Sequence, residues 1–296
     1  MRYSLRQLEV FLATAQEENI TKAANHLSMS QSAASSALGE LESQFGIQLF
    51  DRVGKKLQLN TLGHTVRPQA EALLQQAAEL ERTFNEQSGG GDLTVGATLT
   101  IGNYLAVGIM ARYMEEYPGD RVALEVANTE MIAQKVLNFD IDIGLIEGEF
   151  QHPDIDVIPW CDDELMVFCS PEHAYTTKAK LTKSDLLKAQ WILREPGSGT
   201  RQTFDRAMHG ILPNLDVTLE LQHTEAIKRA VEANLGIGCL SKVALQDAFA
   251  RGSLINLSVP QRDFSRQFYF ILHKQKYQSM AIARWIELCR EEEGKC

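Results

Sequence analysis

Residues 20–42, ITKAANHLSMSQSAASSALGELE, place two short helical patterns on either side of a three-residue break. Apolar residues recur at helical spacing in each half, which predicts two amphipathic helices. These positions are Ile20, Ala23, Ala24 and Leu27, then Ala34, Ala37, Leu38 and Leu41. Helices joined by so short a turn must cross steeply, and the small side chain of Ala24 lets their backbones approach. The stretch therefore predicts a helix-turn-helix, with Ser30 as the N-cap of its second helix.

The second of these helices turns a row of small polar side chains outward. Glutamine can hydrogen-bond an adenine edge in the DNA major groove, and hydroxyls near a helix start can reach bases or phosphates. The spacing alone fits an ordinary helical hairpin with a solvated face equally well. The residues of this region that we predict to contact DNA are Thr21, Lys22, Ser30, Gln31, Ser32, Ser35 and Ser36.

Residues 45–60, FGIQLFDRVGKKLQLN, predict two short strands joined by a turn at Gly54. The tip carries Arg52, Lys55 and Lys56, which are half of the six basic residues in residues 1–60. A hairpin that presents cations beside a helix-turn-helix forms a wing that can rest on DNA phosphates. This location favours a binding role over a merely solvated turn, so the three cations join the predicted DNA contacts.

The net charge of −10 does not exclude a nucleic-acid partner, because the acidity lies outside this region. Residues 1–60 hold six Lys or Arg and six Asp or Glu, whereas residues 92–296 hold 21 and 29. A neutral N-terminal unit can bind DNA if its basic residues share one face.

From position 66 the apolar residues alternate four and three apart over nearly three heptads. This spacing is typical of a helix that packs along a partner helix, although packing on its own core is the alternative. The seam consists of Val66, Ala70, Leu73, Ala77, Leu80 and Phe84. Thr61 is in position to cap the helix, and the glycines at 89–91 predict a flexible hinge after it. The seam therefore predicts a homo-oligomer.

After the hinge, strand and helix patterns alternate to the end of the chain, which predicts an α/β fold with doubly wound sheets. Ligands of such sheets bind beyond the carboxyl ends of the strands, where helix N-termini point. Hydroxyls or amides occur at four such positions, namely 97–103 (ATLTIGN), 127–130 (ANTE), 195–201 (EPGSGTR) and 222–225 (QHTE). Helix-start N–H groups suit an anion, and Arg201 adds a positive charge. Each stretch alone is also compatible with an ordinary N-cap.

The order of several motifs resembles the DNA-binding end of the LysR-type transcriptional regulators. L-x-Q-L-x-x-F opens at Leu5, and the paired alanines are followed by S-Q-x-A-x-S from Ser30, then L-E and L-F-x-R. The resemblance covers essentially the whole chain and is closest to the YeiE-like branch, near the regulators of sulfur assimilation and carbon fixation. Two departures bear on the base contacts: Ser32 stands where the family commonly has Pro, and Ser36 where it often has Arg or a longer polar residue.

This resemblance implies a winged helix-turn-helix and a linker helix, followed by a two-lobed effector domain like the periplasmic solute-binding proteins. The implied segments are a DNA-binding domain at 1–60, a dimerisation helix at 61–88, a hinge at 89–91 and an effector domain at 92–296, with lobe one at 92–161 and 267–296 and lobe two at 162–266. It also implies a homodimer with antiparallel linker helices, its pairing into a tetramer, a pseudo-palindromic double-stranded DNA operator, and RNA polymerase as a further candidate partner.

The effector stretches also coincide with those of the family, and four threonine and serine positions match it residue by residue. The predicted effector-binding residues are Thr98, Thr100, Ile101, Asn128, Glu147, Ser198, Thr200, Arg201, His223 and Thr224. Similarity to the branch implies a small inorganic or carboxylate anion, with sulfite or sulfate as the leading hypothesis. Glu147 would oppose an anion unless it points away, is protonated or pairs with a cation.

Other function classes find less support. Neither GxGxxG nor GxxxxGK[ST] occurs, and the seven histidines show no HExxH spacing, so we expect no catalytic residue, metal or cofactor. No apolar run approaches the roughly 18 residues that cross a bilayer, and no secretory signal is visible, so we expect a cytoplasmic bacterial protein. The alternatives are a thiol-redox-sensing regulator of the same fold, through Cys161, Cys169 or Cys239, and less favourably a solute-binding protein or an enzyme of the two-lobed α/β class.

Overall fold

The computed structural model describes residues 2–54, 56–84 and 92–292. The chain divides into two compact units, Met1–Gly89 with Lys274–Met280, and Gly90–His273 with Ala281–Cys296. The elements before the second unit are α1 (Leu5–Glu17), α2 (Ile20–His26), α3 (Gln31–Phe45), β1 (Phe50–Val53), β2 (Lys56–Leu59) and α4 (Thr61–Phe84). Strands β1 and β2 pair antiparallel, so the predicted helix-turn-helix is followed by the predicted hairpin.

Local sequence sets the boundaries of the first three helices. Ser4 and Asn19 cap α1 and α2. Ser30 caps α3 as predicted, because its hydroxyl accepts a hydrogen bond from the Ala33 N–H at 3.2 Å. Gly46 ends α3 with a φ of 64°, a left-handed conformation that glycine adopts without strain.

The core of the N-terminal unit forms where these helices and the hairpin meet. Its buried members are Leu8, Val10, Phe11, Ala24, Ala34, Leu38, Leu41, Leu49, Phe50 and Ala70. Ala24 is 2% exposed, which agrees with its predicted role at the close approach of α2 and α3. Burial of the apolar face of α3 in this core leaves the polar face of that helix in solvent.

The start of α4 differs from the prediction. The cap is Asn60 rather than Thr61, because Asn60 Oδ1 accepts a hydrogen bond from the Gly63 N–H at 2.9 Å. Thr61 is instead the first residue of the helix, and the helix continues through Pro68 to Phe84. The amide side chain of Asn60, one residue earlier, therefore marks the start of α4.

The predicted apolar seam of α4 divides into two parts. Val66 and Ala70 pack into the core of the N-terminal unit, so they are not available to a partner helix. Leu73 and Leu80 are 40% and 55% exposed. The side chain of Phe84 and the hinge at 89–91 lie outside the described residues. The exposed part of the seam thus begins at Leu73, one heptad before Leu80.

In the described part of the second unit, nine strands form one continuous sheet. They are β3 (Asp92–Thr98), β4 (Arg121–Ala127), β5 (Ile143–Glu147), β6 (Ile155–Cys169), β7 (Gln190–Arg194), β8 (Asp216–Leu221), β9 (Ile237–Ser241), β10 (Ile255–Leu257) and β11 (Ser265–His273). The strand order is β4-β3-β5-β11-β6-β9-β7-β8, and β10 pairs with β6. Strand β3 lies parallel to β4 and β5, and β7 lies parallel to β8 and β9.

Strands β6 and β11 join the two lobes of this unit. Strand β6 pairs antiparallel with β11 as far as Glu164 and with β9 from Leu165 onward. Lobe one therefore contains β3, β4 and β5, and lobe two contains β7, β8 and β9. The predicted lobe boundaries, at 161/162 and 266/267, fall within these two crossing strands.

Helices cover the faces of both lobes, as a doubly wound fold requires. They are α5 (Leu99–Ile101), which continues through a π-helical turn at Gly102–Ala106 into α6 (Val107–Glu116), then α7 (Thr129–Leu137), α8 (Lys183–Lys188), α9 (Gly199–Ala207), α10 (Thr224–Glu232), α11 (Lys242–Arg251) and α12 (Met280–Glu291). Trp285 of α12 packs against Tyr113 in the core of lobe one, so the last helix lies on that lobe. Within the described ranges, every helix is too short or too polar to span a membrane.

Candidate effector site and DNA-binding surface

Three helices of the effector domain begin without a capping hydrogen bond from their own N-cap residue. The residues at the N-cap positions of α5, α9 and α10 are Thr98, Ser198 and His223, and none of these side chains makes a capping hydrogen bond. In the same domain, α7, α8 and α11 are capped in the ordinary way by Asn128, Thr182 and Ser241. These helix starts keep N–H donors that an anion can use, apart from the Gly199 N–H of α9, which donates to the Thr129 hydroxyl.

Buried hydroxyls without partners lie at the same three helix starts. The side-chain oxygens of Thr98, Ser198 and Thr224 are buried, and none has a hydrogen-bond partner among the described residues. A buried polar group left without a partner costs about 1–3 kcal/mol. Three such groups, one at each uncapped start, point to a polar ligand rather than to ordinary N-caps.

A buried guanidinium group lies at the end of β7, where the sequence analysis placed no site residue. Arg194 is 1% exposed, and it donates two hydrogen bonds to the Glu195 carboxylate at 2.8 and 2.9 Å. Its remaining Nη1 is buried without a partner in the described structure. Because side chains alternate along a strand, Arg194 lies on the same face of β7 as Ile192, which packs against Ile227 of α10.

Three of the predicted effector residues offer no buried, unpartnered polar group. Asn128 accepts the Met131 N–H at 3.0 Å and so is an ordinary cap. Ile101 is fully buried in the core of lobe one, since its position in the first helical turn directs it inward. His223 is exposed, and the buried group beside it is the Thr224 hydroxyl.

Arg201 does not supply the free positive charge that the sequence predicted. Its guanidinium group bonds to Asp205 at 2.9 Å and to Glu220 at 2.6 Å. It also donates to the Arg194 carbonyl at 3.0 Å. Two carboxylates neutralise this arginine, so a positive charge that balances a bound anion must come from another residue.

Glu147 belongs to a buried ionic network that spans the lobes. Its carboxylate lies 3.3 Å from Arg266, and both side chains are 1% exposed. Arg266 also bonds to Asp163 at 2.6 Å. The Thr200 hydroxyl donates to Glu147 at 2.9 Å and accepts from Arg266 at 3.1 Å. Glu147 is therefore paired with a cation, and Thr200 is engaged in this network through its hydroxyl.

The start of α9 approaches β5 of lobe one very closely. A Cβ atom at Gly199 would lie 1.9 Å from the Glu147 carbonyl oxygen, so only glycine fits there. The Gly199 N–H donates to the Thr129 hydroxyl at 3.1 Å, and the Glu130 N–H donates to the Gly197 carbonyl at 3.3 Å. The N-termini of α7 and α9 thus meet across the two lobes.

A cavity of about 440 Å³ adjoins these two helix starts. It is lined by Thr129, Glu130, Glu149, Phe150, Pro196, Gly197, Ser198, Gly199, Arg201, Gln202 and Asp205. Two of the predicted site residues, Ser198 and Arg201, are in this lining. Residues of both lobes form its wall, and of the three unpartnered hydroxyls it contains that of Ser198, whereas Thr98 and Thr224 are not in its lining.

Tyr104, Glu225 and Lys228 form a second contact between the lobes. Tyr104 lies in the π-helical turn of lobe one, and its hydroxyl donates to the Glu225 carboxylate of α10. The Lys228 ammonium donates to Glu225 at 2.7 Å and to the Tyr104 oxygen at 3.4 Å. Burial and the Glu225 carboxylate raise the pKa of Tyr104 above its usual range, so the phenol stays protonated and can donate.

The missed site residues left only a weak signal in the sequence. Asp163 and Arg266 lie among other polar residues of β6 and β11, and Arg194 is the last residue of the largely apolar strand β7. Arg266 pairs with Asp163, which is far away along the chain, whereas Arg194 pairs with its neighbour Glu195. A buried charge must be paired, but the sequence alone does not show that these three residues are buried. Lys228 lies within an amphipathic helix, where a lysine is ordinarily expected on the solvent-exposed face.

The predicted DNA-contact residues form a solvent-exposed polar surface. Thr21, Lys22, Gln31, Ser32, Ser35, Ser36 and Arg52 are all exposed on α2, α3 and the hairpin. Ser30 is exposed as well, although its hydroxyl caps α3. Lys56 is hydrogen-bonded to Glu18, and Lys55 lies outside the described residues. Among the described residues, the wing therefore presents Arg52 without an ion-pair partner and Lys56 as a paired cation.

A winged helix-turn-helix joined to a two-lobed α/β domain defines the class of DNA-binding regulators that carry their own effector domain. Comparison with protein families assigns the chain more closely. The model for the bacterial regulatory helix-turn-helix protein of the lysR family matches residues 5–64, and the model for the LysR substrate binding domain matches residues 86–294. The chain belongs to the LysR family of transcriptional regulators.

Individual relatives agree with this assignment. The uncharacterized HTH-type transcriptional regulator YeiE of Escherichia coli K12 is 42% identical over 289 residues, which are 98% of each chain. The RuBisCO operon transcriptional regulator of Allochromatium vinosum is 28% identical and covers 100% of this chain and 98% of its own. A full-length OxyR variant from Pseudomonas aeruginosa has the same fold, with a TM-score of 0.74 at 22% identity and coverage of 98% and 95%.

Proposed function

We propose that this regulator senses a small inorganic or carboxylate anion, with sulfite or sulfate as the leading candidate. The observation that carries the proposal is the coincidence of uncapped helix starts with the buried, unpartnered hydroxyls of Thr98, Ser198 and Thr224. Hydroxyls and helix-start N–H groups are the donors that oxyanions accept from. Two of these groups belong to lobe two and one to lobe one, so an anion that binds groups of both lobes favours the approach of the lobes.

The regulatory mechanism follows from linkage. An effector shifts the lobe arrangement only by as much as its affinity differs between the two arrangements. A change between the lobes then alters how subunits pack, repositions the winged helices and changes the bending of a pseudo-palindromic operator. A cytoplasmic location and contact with RNA polymerase fit this role.

A homodimer that reads both half-sites uses the exposed part of α4. Leu73 and Leu80 are one heptad apart, so they share a face of the helix and offer an apolar contact to a second linker helix. Pairing of two dimers gives the tetramer that the family resemblance implies. Sedimentation of Leu73→Gln and Leu80→Gln proteins tests this surface, and a dimer of unchanged affinity would exclude it.

The effector is tested by thermal denaturation of the full chain with sulfite, sulfate, phosphate and short carboxylates. A ligand of the native state raises the melting temperature by mass action. Sulfate also stabilises proteins by exclusion from their surface, so concentrations stay in the low millimolar range at constant ionic strength. A true ligand raises the melting temperature of the wild type and not that of Thr224→Val or Ser198→Ala.

Thr203→Val is the matched control, because this buried hydroxyl of α9 already donates to the Gly199 carbonyl at 3.0 Å. We expect Thr203→Val to keep the anion response. If no anion in the panel stabilises the wild type, the proposed effector class is wrong. Turnover of a stabilising ligand would instead support an enzyme.

A further inference from the structure

Lys228 is a buried cation that faces the other lobe. Its side chain is 7% exposed, whereas the Glu225 side chain with which it pairs is 58% exposed. An ammonium group has three N–H donors, and its bonds to Glu225 and Tyr104 use two of them. The ammonium also lies 5.5 Å from the centre of the Tyr104 ring. Among the described residues, the third N–H donor of this buried cation has no hydrogen-bond partner.

Thr224 and Lys228 lie on the same face of α10. Positions four apart stack on one side of a helix, and side chains tilt toward the helix N-terminus. Both residues are buried, at 1% and 6% exposure, while Glu225 and Arg229 between and beyond them are exposed. The Lys228 ammonium therefore reaches back toward the uncapped start of α10, where the Thr224 hydroxyl lacks a partner.

We propose that Lys228 supplies the positive charge that binds the anionic effector, and that Glu225 competes with the effector for this charge. The inference rests on the proposed anion-sensing function and names a residue that its hydroxyl site does not include. Without a ligand, the Glu225 carboxylate satisfies Lys228. An anion at the start of α10 takes the free donor and weakens the ion pair to Glu225. Tyr104 positions the ammonium from lobe one, so the effector charge acts where the two lobes touch.

Opposite charge changes on this pair should therefore have opposite effects on anion affinity. Lys228→Gln removes a charged donor and should weaken sulfite or sulfate binding by about 10- to 100-fold. Glu225→Gln removes the competitor and should tighten the same binding by roughly three- to tenfold. A purely structural ion pair predicts something different, because either substitution would lower stability and neither would raise anion affinity.

The experiment measures the dissociation constants of sulfite and sulfate from melting-temperature titrations of the full chain. Arg229→Gln is the matched control, since Arg229 is the adjacent cation of α10, is 76% exposed and pairs with Glu232. Arg229→Gln and the charge-conserving Lys228→Arg should both keep anion binding. If Lys228→Gln does not fold, the sign of the Glu225→Gln effect still tests the proposal.

The outcomes separate this proposal from the one on which it rests. Stabilisation of the wild type together with unchanged affinity in Lys228→Gln overturns the role of Lys228 and leaves the anion sensor intact. Weaker binding in Glu225→Gln likewise overturns the competition. Failure of every anion to stabilise the wild type overturns the anion sensor itself, and the Lys228 assignment falls with it.

Discussion

Arg266 and Asp163 are joined by a 2.6 Å ion pair in which each side chain is only 1% exposed. Arg266 lies on β11 and Asp163 on β6, the two strands that connect the lobes. The same guanidinium group faces Glu147 at 3.3 Å, so one buried cation compensates two buried carboxylates. A buried charge is tolerated only while its partners remain in place.

Removing this arginine should strongly destabilise the effector domain. Arg266→Met leaves Glu147 and Asp163 uncompensated, which we expect to cost about 3–5 kcal/mol. Urea denaturation, monitored by tryptophan fluorescence, measures this loss in the free energy of unfolding, because Trp160, Trp191 and Trp285 all lie in this unit. The control is Arg206→Met, whose exposed ion pair with Glu149 should contribute at most about 1 kcal/mol. Equal losses in the two variants would contradict the prediction.

Much of this fold follows from the sequence. The helical periodicity of α2 and α3, the turn at Gly54 and the alternation after residue 92 all correspond to elements of the structure. Short-range signals of this kind depend on residues that are neighbours in the chain. The short helix α8, the helix α11 and the three-residue strand β10 were not predicted, because their local patterns are weak and tertiary packing sets them.

The sequence indicated the helix starts that carry the unpartnered hydroxyls, but it did not indicate which nearby cations are paired. The strand ends that carry Thr98, Ser198 and Thr224 were identified because a doubly wound sheet directs helix starts toward its ligand. Arg201 was assigned the positive charge, but it pairs with Asp205 and Glu220 in the structure. The pair with Asp205 has i,i+4 spacing within α9, but the pair with Glu220 depends on tertiary packing. The burial of Lys228 and its contact with Tyr104 depend on tertiary packing as well, so sequence spacing does not show them.

An unpartnered buried hydroxyl should lower the stability of the unliganded protein. Thr98→Val replaces the hydroxyl with a methyl group of similar size, so we expect the unliganded protein to gain up to about 1 kcal/mol of stability. The same variant should lose its anion response, a trade of stability against function. Thr203→Val should instead lose stability, because its hydroxyl is bonded. Urea titrations compare the two, and a loss of stability in both would argue against an unfilled donor at Thr98.

Base recognition should depend on the first residue of α3. Gln31 is exposed at the helix start, where an amide can pair with an adenine edge. We expect Gln31→Ala to cost about 1–3 kcal/mol at the cognate operator and to relax preference at one base position. Gln44→Ala, at the exposed far end of the same helix, should bind as the wild type does. Selection of bound sequences from a random duplex library measures both, and an unchanged Gln31→Ala profile would exclude direct readout by this amide.

The buried thiols should be inert at neutral pH. Cys169, Cys239 and Cys289 are free and buried, and burial raises the pKa of Cys169 to about 11. Burial also raises the pKa of Cys239 and of Cys289. At pH 7 only about one Cys169 in ten thousand is a thiolate, and this fraction rises as the pH approaches 11. Peptide mapping after iodoacetamide or peroxide at pH 7 should find these three residues unmodified. Their rapid oxidation in the folded protein would support the redox-sensing alternative.

Glu18 should restrain the DNA affinity of the wing. It hydrogen-bonds to Lys56, and this bond lowers the pKa of Glu18, so the carboxylate is fully ionised at pH 7 and the pair is lost only in acid. Glu18→Gln frees the lysine for a phosphate, which should raise affinity for all sequences several-fold and steepen the slope of log K against log salt by about 0.9. Lys56→Gln should weaken binding without changing base preference. Fluorescence anisotropy at several salt concentrations measures these slopes, with Glu116→Gln as a control of equal charge in the effector domain. If both glutamate variants show the same slope, the gain in DNA affinity reflects the change in net charge rather than the release of Lys56 in the wing.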